Sequence, residues 1–225
     1  MENKKPKIKT KDILQKTSVM LLGIFCSALG VSLSIKSGLG ATPLGVCPAV
    51  FSPFLKISTG TATAILLSVF FLSQLIILKK EFKPFESFQL LIAVIYGFFI
   101  DFTASLLSVF PDGGFWGQSL YCCLGIVILA LGVSIAVSND FILLPQDAFV
   151  NVISKKYSKE YGNVKITLDI FLTAIAAIGS LILNKSLVQV GVGTIAAAIF
   201  VGKIVSLLQE FEGMDFLFVS IEGET

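Results

Sequence analysis

Asp101 stands in a long apolar run, Phe88 to Phe110, with apolar neighbours on both sides. A carboxylate is costly in such surroundings. It binds a cation or a proton, pairs with a substrate amine, or only hydrogen-bonds a neighbouring helix. Asp169 and Lys203 pose the same question in later apolar runs. Asp169 has Lys165 one helical turn away and either stays partly hydrated near an interface or joins a site. Lys203 either snorkels to a surface or pairs with Asp169 or Asp147. Asp147 follows Pro145 and Gln146 at a helix start, where a carboxylate complements the positive end of the helix. Among the candidates, Asp101, Asp147, Asp169, Lys203 and Gln146 are the side chains able to hold a small solute or ion.

Two interruptions position these residues. Gly38-Leu39-Gly40-Ala41-Thr42-Pro43 follows an apolar run and carries glycine and proline where a soluble loop carries charge. Thr42 suits an N-cap and Pro43 the first helical position, so a short helix is predicted from Pro43 to Leu55. Leu143-Leu144-Pro145-Gln146-Asp147 repeats the device and opens a second short helix, Pro145 to Tyr157. Gly45 stands in the first copy where the second has Asp147, leaving an uncharged helix start whose N–H groups either hold an anionic group or serve only the break. Gly191 and Gly193 look like a phosphate loop only superficially; small residues here read as close packing.

The composition names the solvent. The 225 residues are 55% hydrophobic and only 14% charged, against about 25% charged in soluble domains, and the mean hydropathy is +0.89. Candidate spans are Thr17 to Ile35, Gly60 to Leu78, Phe88 to Phe110, Ser119 to Val137, Val164 to Leu183 and Leu187 to Leu208, each near the roughly 20 residues that cross a bilayer. The fold class expected is therefore all-α: a polytopic transmembrane bundle of six spans plus two short proline-initiated half-helices. With the first 16 residues inside as a basic tail, the lysines of the loops gather on the cytoplasmic side and leave Lys36, Lys56 and Lys185 outside, as the positive-inside rule requires. Both termini are then cytoplasmic, in a plasma membrane.

There is no histidine, and the four cysteines lack metal-ligand spacing. No metal, cofactor, disulfide framework or enzymatic constellation is expected, and no nucleic-acid partner.

The chain also repeats itself. Ala28-Leu29-Gly30-Val31-Ser32-Leu33 matches Ala130-Leu131-Gly132-Val133-Ser134-Ile135 at an offset of 102 residues, the offset that also relates Pro43 to Pro145. Ala93 to Gly97 lies over Ala198 to Gly202 at an offset of 105. Three spans per copy is odd, so the copies, residues 17–110 and 119–208, enter the membrane from opposite faces, as in many secondary transporters.

At this point the residues resemble the YczE/YyaS/YitT group of bacterial integral membrane proteins, through Gly-Val-Ser-Leu in the first span, Ser-Gly-Leu-Gly-Ala-Thr-Pro-Leu at 37 to 44 and Tyr-Gly-Phe-Phe-Ile-Asp at 96 to 101. The resemblance implies a polytopic plasma-membrane protein and carries no activity or substrate. The function expected is a small-solute or ion permease whose two breaks and Asp101 enclose one site. The alternatives are a non-transporting accessory or assembly protein, and a solute-binding subunit of an energised transporter.

Overall fold

The computed structural model describes residues 10–138, 142–187 and 189–210. Most of the basic tail, and the apolar stretch Phe216 to Ile221 near the C-terminus, lie outside the described residues. Eight α-helices follow in order: α1 (Thr10–Ser37), α2 (Pro43–Leu55), α3 (Thr59–Leu78), α4 (Phe88–Leu107), α5 (Gly114–Ser138), α6 (Pro145–Tyr157), α7 (Tyr161–Asn184) and α8 (Val192–Glu210). Two 3₁₀ turns, Lys79–Glu81 and Pro84–Ser87, join α3 to α4.

Five helices, α1, α3, α4, α5 and α7, are long and apolar enough to cross a membrane. The apolar part of α8, Val192–Val205, is shorter, so the length criterion is met five times among the described residues, against the six spans expected. The exterior fits hydrocarbon: Ile76, Val94, Phe98, Ile170 and Ile182 are all exposed, while Ser34, Thr63, Thr103 and Gln74 are buried. Exposed apolar side chains spread over every long helix would be a liability in water.

Both short helices occupy the ranges their prolines predict. Thr42 caps α2, its Oγ1 accepting from Gly45 N at 3.3 Å. Each helix closes 13 residues on in a left-handed residue, Lys56 or Ser158, whose N–H returns to the helix. The α2 helix runs on through Pro48 and Pro53. Its burial against α7 and α3 outweighs the lost backbone bonds, which is the usual way tertiary packing overrides propensity.

The seam of the bundle is α1 against α5, set by glycines. A Cβ on Gly30 would fall within 2.7 Å of Leu129 Cα, one on Gly132 within 2.6 Å of Gly23 O, and one on Gly125 within 2.9 Å of Gly30 O. As the residue number rises on α1 it falls on α5, so the two helices are antiparallel. Around this seam α4 packs on α1 and α8 on α5, while α2 packs on α7 and α6 on α3. Exchanging α1–α4 for α5–α8 exchanges these contacts in pairs. One contact breaks the pattern: α3 and α4 clasp closely, whereas α7 and α8 barely touch.

Antiparallel packing puts the C-terminal ends of α1 and α5 on opposite sides of the bundle. One break follows the end of α1 and the other the end of α5, and each then turns back along its own helix: Ser34 Oγ donates to Gly40 O at 3.0 Å, and Leu144 and Asp147 lie beside Val133 and Ala136. The expected single site divides in one respect: Asp101 bonds Ser58 Oγ and Gly60 N at the start of α3, away from the Gln146–Asp169 pair of the second break.

Candidate functional site

The second break is the polar one. In α7, Lys165 Nζ lies 3.3 Å from Asp147 Oδ1 and 3.7 Å from Asp169 Oδ1, because positions 165 and 169 share one helix face and that face meets the first turn of α6. Gln146 Nε2 donates to Asp169 Oδ1 at 3.3 Å, and Tyr161 OH reaches Asp147 Oδ1 at 3.4 Å. Behind them the buried Gln74 of α3 donates through Nε2 to Pro145 O at 2.9 Å and to Gln89 Oε1 of α4 at 3.1 Å. Four helices thus contribute polar side chains to one place. Two carboxylates face one ammonium, leaving a local charge of −1, and Gln146 Oε1, in a residue only 1% exposed, has no hydrogen-bond partner among the described residues.

Of the residues singled out in sequence, Gln146, Asp147 and Asp169 come together here. Lys203 does not join them: it is exposed on α8, and Lys165 supplies the ammonium. Asp101 lies twelve residues along α4 from Gln89, about 18 Å at 1.5 Å per residue. It accepts Gly60 N at 2.7 Å and Ser58 Oγ at 2.6 Å, so it caps the start of α3 across the interface with α4. An Asp101→Ala variant is expected to lose about 1–2 kcal/mol by leaving these donors unmet, with Asp101→Asn close to wild type because one oxygen remains. Thermal unfolding in detergent checks both.

Gly38, Gly40, Thr42 and Pro43 form the first break, which is closed by backbone. Gly38 (φ 66°) and Gly40 (φ 136°) adopt conformations that favour glycine. Ala41 N donates to Gln189 O at 2.8 Å and Gly193 N to Leu39 O at 2.9 Å. Gly191 and Gly193 admit this approach, since a Cβ on either would strike Leu39 O. With Pro43 lacking an N–H and the amides of Gly45 and Val46 bonded to Thr42, Leu44 retains the one uncommitted amide among residues 43–46. That leaves little of the open anion-facing helix end weighed from the sequence.

The two breaks are chemically opposite although equivalent by the 102-residue offset. Leu44, Gly45, Thr63, Leu67 and Ala176 occupy the positions matching Gln146, Asp147, Lys165, Asp169 and Gln74. The polar cluster stands at the second break and not, among the described residues, at the first. Sequence reasoning passed over Gln74 and Gln89, which the rule applied to Asp101, a polar residue in an apolar run, would have found. A narrow cleft beside Asp147, lined also by Ser27, Val133, Ala136, Val137, Leu143 and Leu144, has room for about one water.

No curated protein and no solved structure matches the chain. The family model that matches over residues 14–210 is that of a family of unknown function, DUF6198, and with most of its length covered the chain belongs to that family.

Proposed function

We propose that the protein is a plasma-membrane permease for a small solute or ion, built from two inverted copies, with its site at the second break. The observation that carries this reading is the Gln146, Asp147, Lys165 and Asp169 cluster. Buried ionisable groups in membrane helices mark substrate or ion pathways by default, and broken helices are where secondary transporters place them. The duplication is supported by the seam: Gly23 and Gly30 become Gly125 and Gly132 under the 102-residue offset, and the contact of Gly23 with Gly132 becomes that of Gly125 with Gly30. In this reading α8, with 19 residues and about 28 Å of length, is the sixth span. Both termini then face the cytoplasm, as the lysine distribution favours. The resemblance to the YczE/YyaS/YitT group accords with this polytopic form.

The broken symmetry supplies the motion. Gly60 and Gly97 bring α3 against α4 at the end that the lysines place outside, where a Cβ on Gly60 would overlap Gly97 O. Their counterparts Gly162 and Gly202 stand at the cytoplasmic end, where Gly202 has nothing within 4 Å. Ser32 latches α1 to α4 through Ile100 O at 3.1 Å and Thr103 Oγ1 at 2.7 Å, while its counterpart Ser134, buried on α5, has no partner among the described residues. The outer helix pair is closed and the inner pair parted. Alternating access would exchange these arrangements.

A thermal-shift screen of purified protein against anions, cations, amino acids and metabolites, followed by uptake of any hit into proteoliposomes, tests this reading. A saturable shift and uptake, both lost in Asp169→Asn, are expected. Gly202→Leu is expected to fold normally yet stop uptake by keeping α8 off α7. One observation favours an accessory or scaffold role instead: among the described residues, the space beside the site is smaller than a solute. Absence of any shift or uptake, with Gly202→Leu behaving as wild type, would establish that second reading.

A further inference from the structure

The parting of α7 from α8 leaves a groove that the first copy does not have. On α4, Ala93 and Gly97 are buried, and a Cβ on Gly97 would meet Gly60 O at 2.5 Å and Ala64 Cβ at 3.1 Å across the clasp with α3. The positions matching these four, Ala198 and Gly202 on α8 and Gly162 and Ile166 on α7, are all exposed, and the two helices barely touch. Elsewhere on the exterior, large side chains such as Ile76, Phe98 and Ile182 meet the hydrocarbon; here the wall of α8 is an alanine and a glycine. Small residues on membrane helices admit a close neighbour, and a Cβ on Gly202 would find none within 4 Å among the described residues.

The rim of this groove is basic. Lys203, next to Gly202, is exposed and forms no ion pair among the described residues, and an ammonium on a helix face otherwise turned to lipid is costly. Lys159, also exposed, stands three residues before Gly162. The segment that follows α8 has the opposite sign: residues 211–225 carry Glu212, Asp215, Glu222 and Glu224 and no lysine, around the apolar run Phe216 to Ile221. Its reach suffices. Gly202 lies eight residues before the end of α8 at Glu210, about 12 Å back along the helix, and the five residues 211–215 can span up to about 17 Å. A second copy docking through its own α8 would instead bring another Lys203 to the same place.

We propose that residues 211–225 of this chain dock in the α7–α8 groove, with Phe216 and Phe218 against Ala198 and Gly202 and a carboxylate of the segment on Lys203. The inference rests on the equivalence of the two copies in the reading above and adds a device that acts on it. A docked segment keeps α8 off α7, so it favours the arrangement with the inner pair parted.

Zero-length carbodiimide cross-linking of the full chain in proteoliposomes, read by peptide mass spectrometry, tests this docking, with the Lys36–Asp112 pair, 3.1 Å apart, as internal standard. The expected result is a cross-link from Lys203 to Glu212, Asp215, Glu222 or Glu224 in protein of monomer mass, at a yield independent of the protein-to-lipid ratio. Gly202→Leu, which fills the groove, and the double variant Phe216→Ser with Phe218→Ser, which keeps every charge, should each lose most of that product while the Lys36–Asp112 product stays. The same cross-link joining two chains would assign the groove to a second copy, and no Lys203 product, or one indifferent to both variants, would leave it to lipid; each of these overturns the proposal. No solute enters the measurement. A Lys203 cross-link in protein that takes up nothing would retain the docked segment and remove the permease reading, and uptake without the cross-link would do the reverse.

Discussion

A Gly132→Leu variant is expected to yield no folded monodisperse protein, and Gly132→Ala to lose about 1–3 kcal/mol, the usual cost of overpacking. The reason is the α1–α5 seam. A Cβ at position 132 would press on Ser27 N and Gly23 O, and one at position 30 on the backbone of Leu129, and backbone cannot swing aside as the end of a flexible side chain can. Membrane helices gain nothing by hiding apolar surface from lipid that is equally apolar, so close packing through small residues is what holds them together. Forcing these helices apart would also strip the packing of α4 on α1 and of α8 on α5. Size-exclusion profiles and Tm in detergent give the readout. Gly202→Ala is the control: with nothing within 4 Å it should be neutral, or more stable by about 0.5–1 kcal/mol as helical glycine becomes alanine. Equal losses at positions 132 and 202 would contradict the seam.

Lys165→Met should be the most damaging substitution in the polar cluster, at about 2–3 kcal/mol. The same ammonium contacts Asp147 and Asp169, so its removal leaves two carboxylates facing one another without a counter-charge. Breaking a fully buried pair costs about 3–5 kcal/mol. Here the three side chains retain 18–30% of their exposure, and partial hydration lowers the figure. Adding Asp147→Asn to Lys165→Met should restore most of the loss, since one uncompensated charge then disappears. A double-mutant cycle on unfolding free energies measures this coupling. Additive losses would mean that the cluster is not an electrostatic unit.

The clamp on α3 and the polar cluster show how differently two aspartates can serve. Asp101 and Asp169 look alike along the chain, each a carboxylate in an apolar run. One meets the first turn of α3 and caps it; the other meets an ammonium and an amide at a helix break. Which neighbour each finds depends on how helices cross, and no local pattern encodes that.

By itself the sequence determined the helical class, the apolar exterior and both short helices, because these follow from local rules: hydrocarbon leaves the backbone no partners but its own, and proline after a break starts a helix where no N–H is missed. It also carried a recurring pattern, Ala28 to Leu33 against Ala130 to Ile135, at the 102-residue offset that relates Pro43 to Pro145. Tertiary structure alone decided that α1 and α5 run antiparallel along a glycine seam, since this is a relation between segments some hundred residues distant. It alone decided that Lys165, rather than Lys203, neutralises the aspartates, and that Gln74 and Gln89 stand behind them. Those outcomes depend on where glycines let backbones approach: Gly30 and Gly132 are occupied by a neighbour and Gly202 is not, although all three are the same residue in an apolar helix.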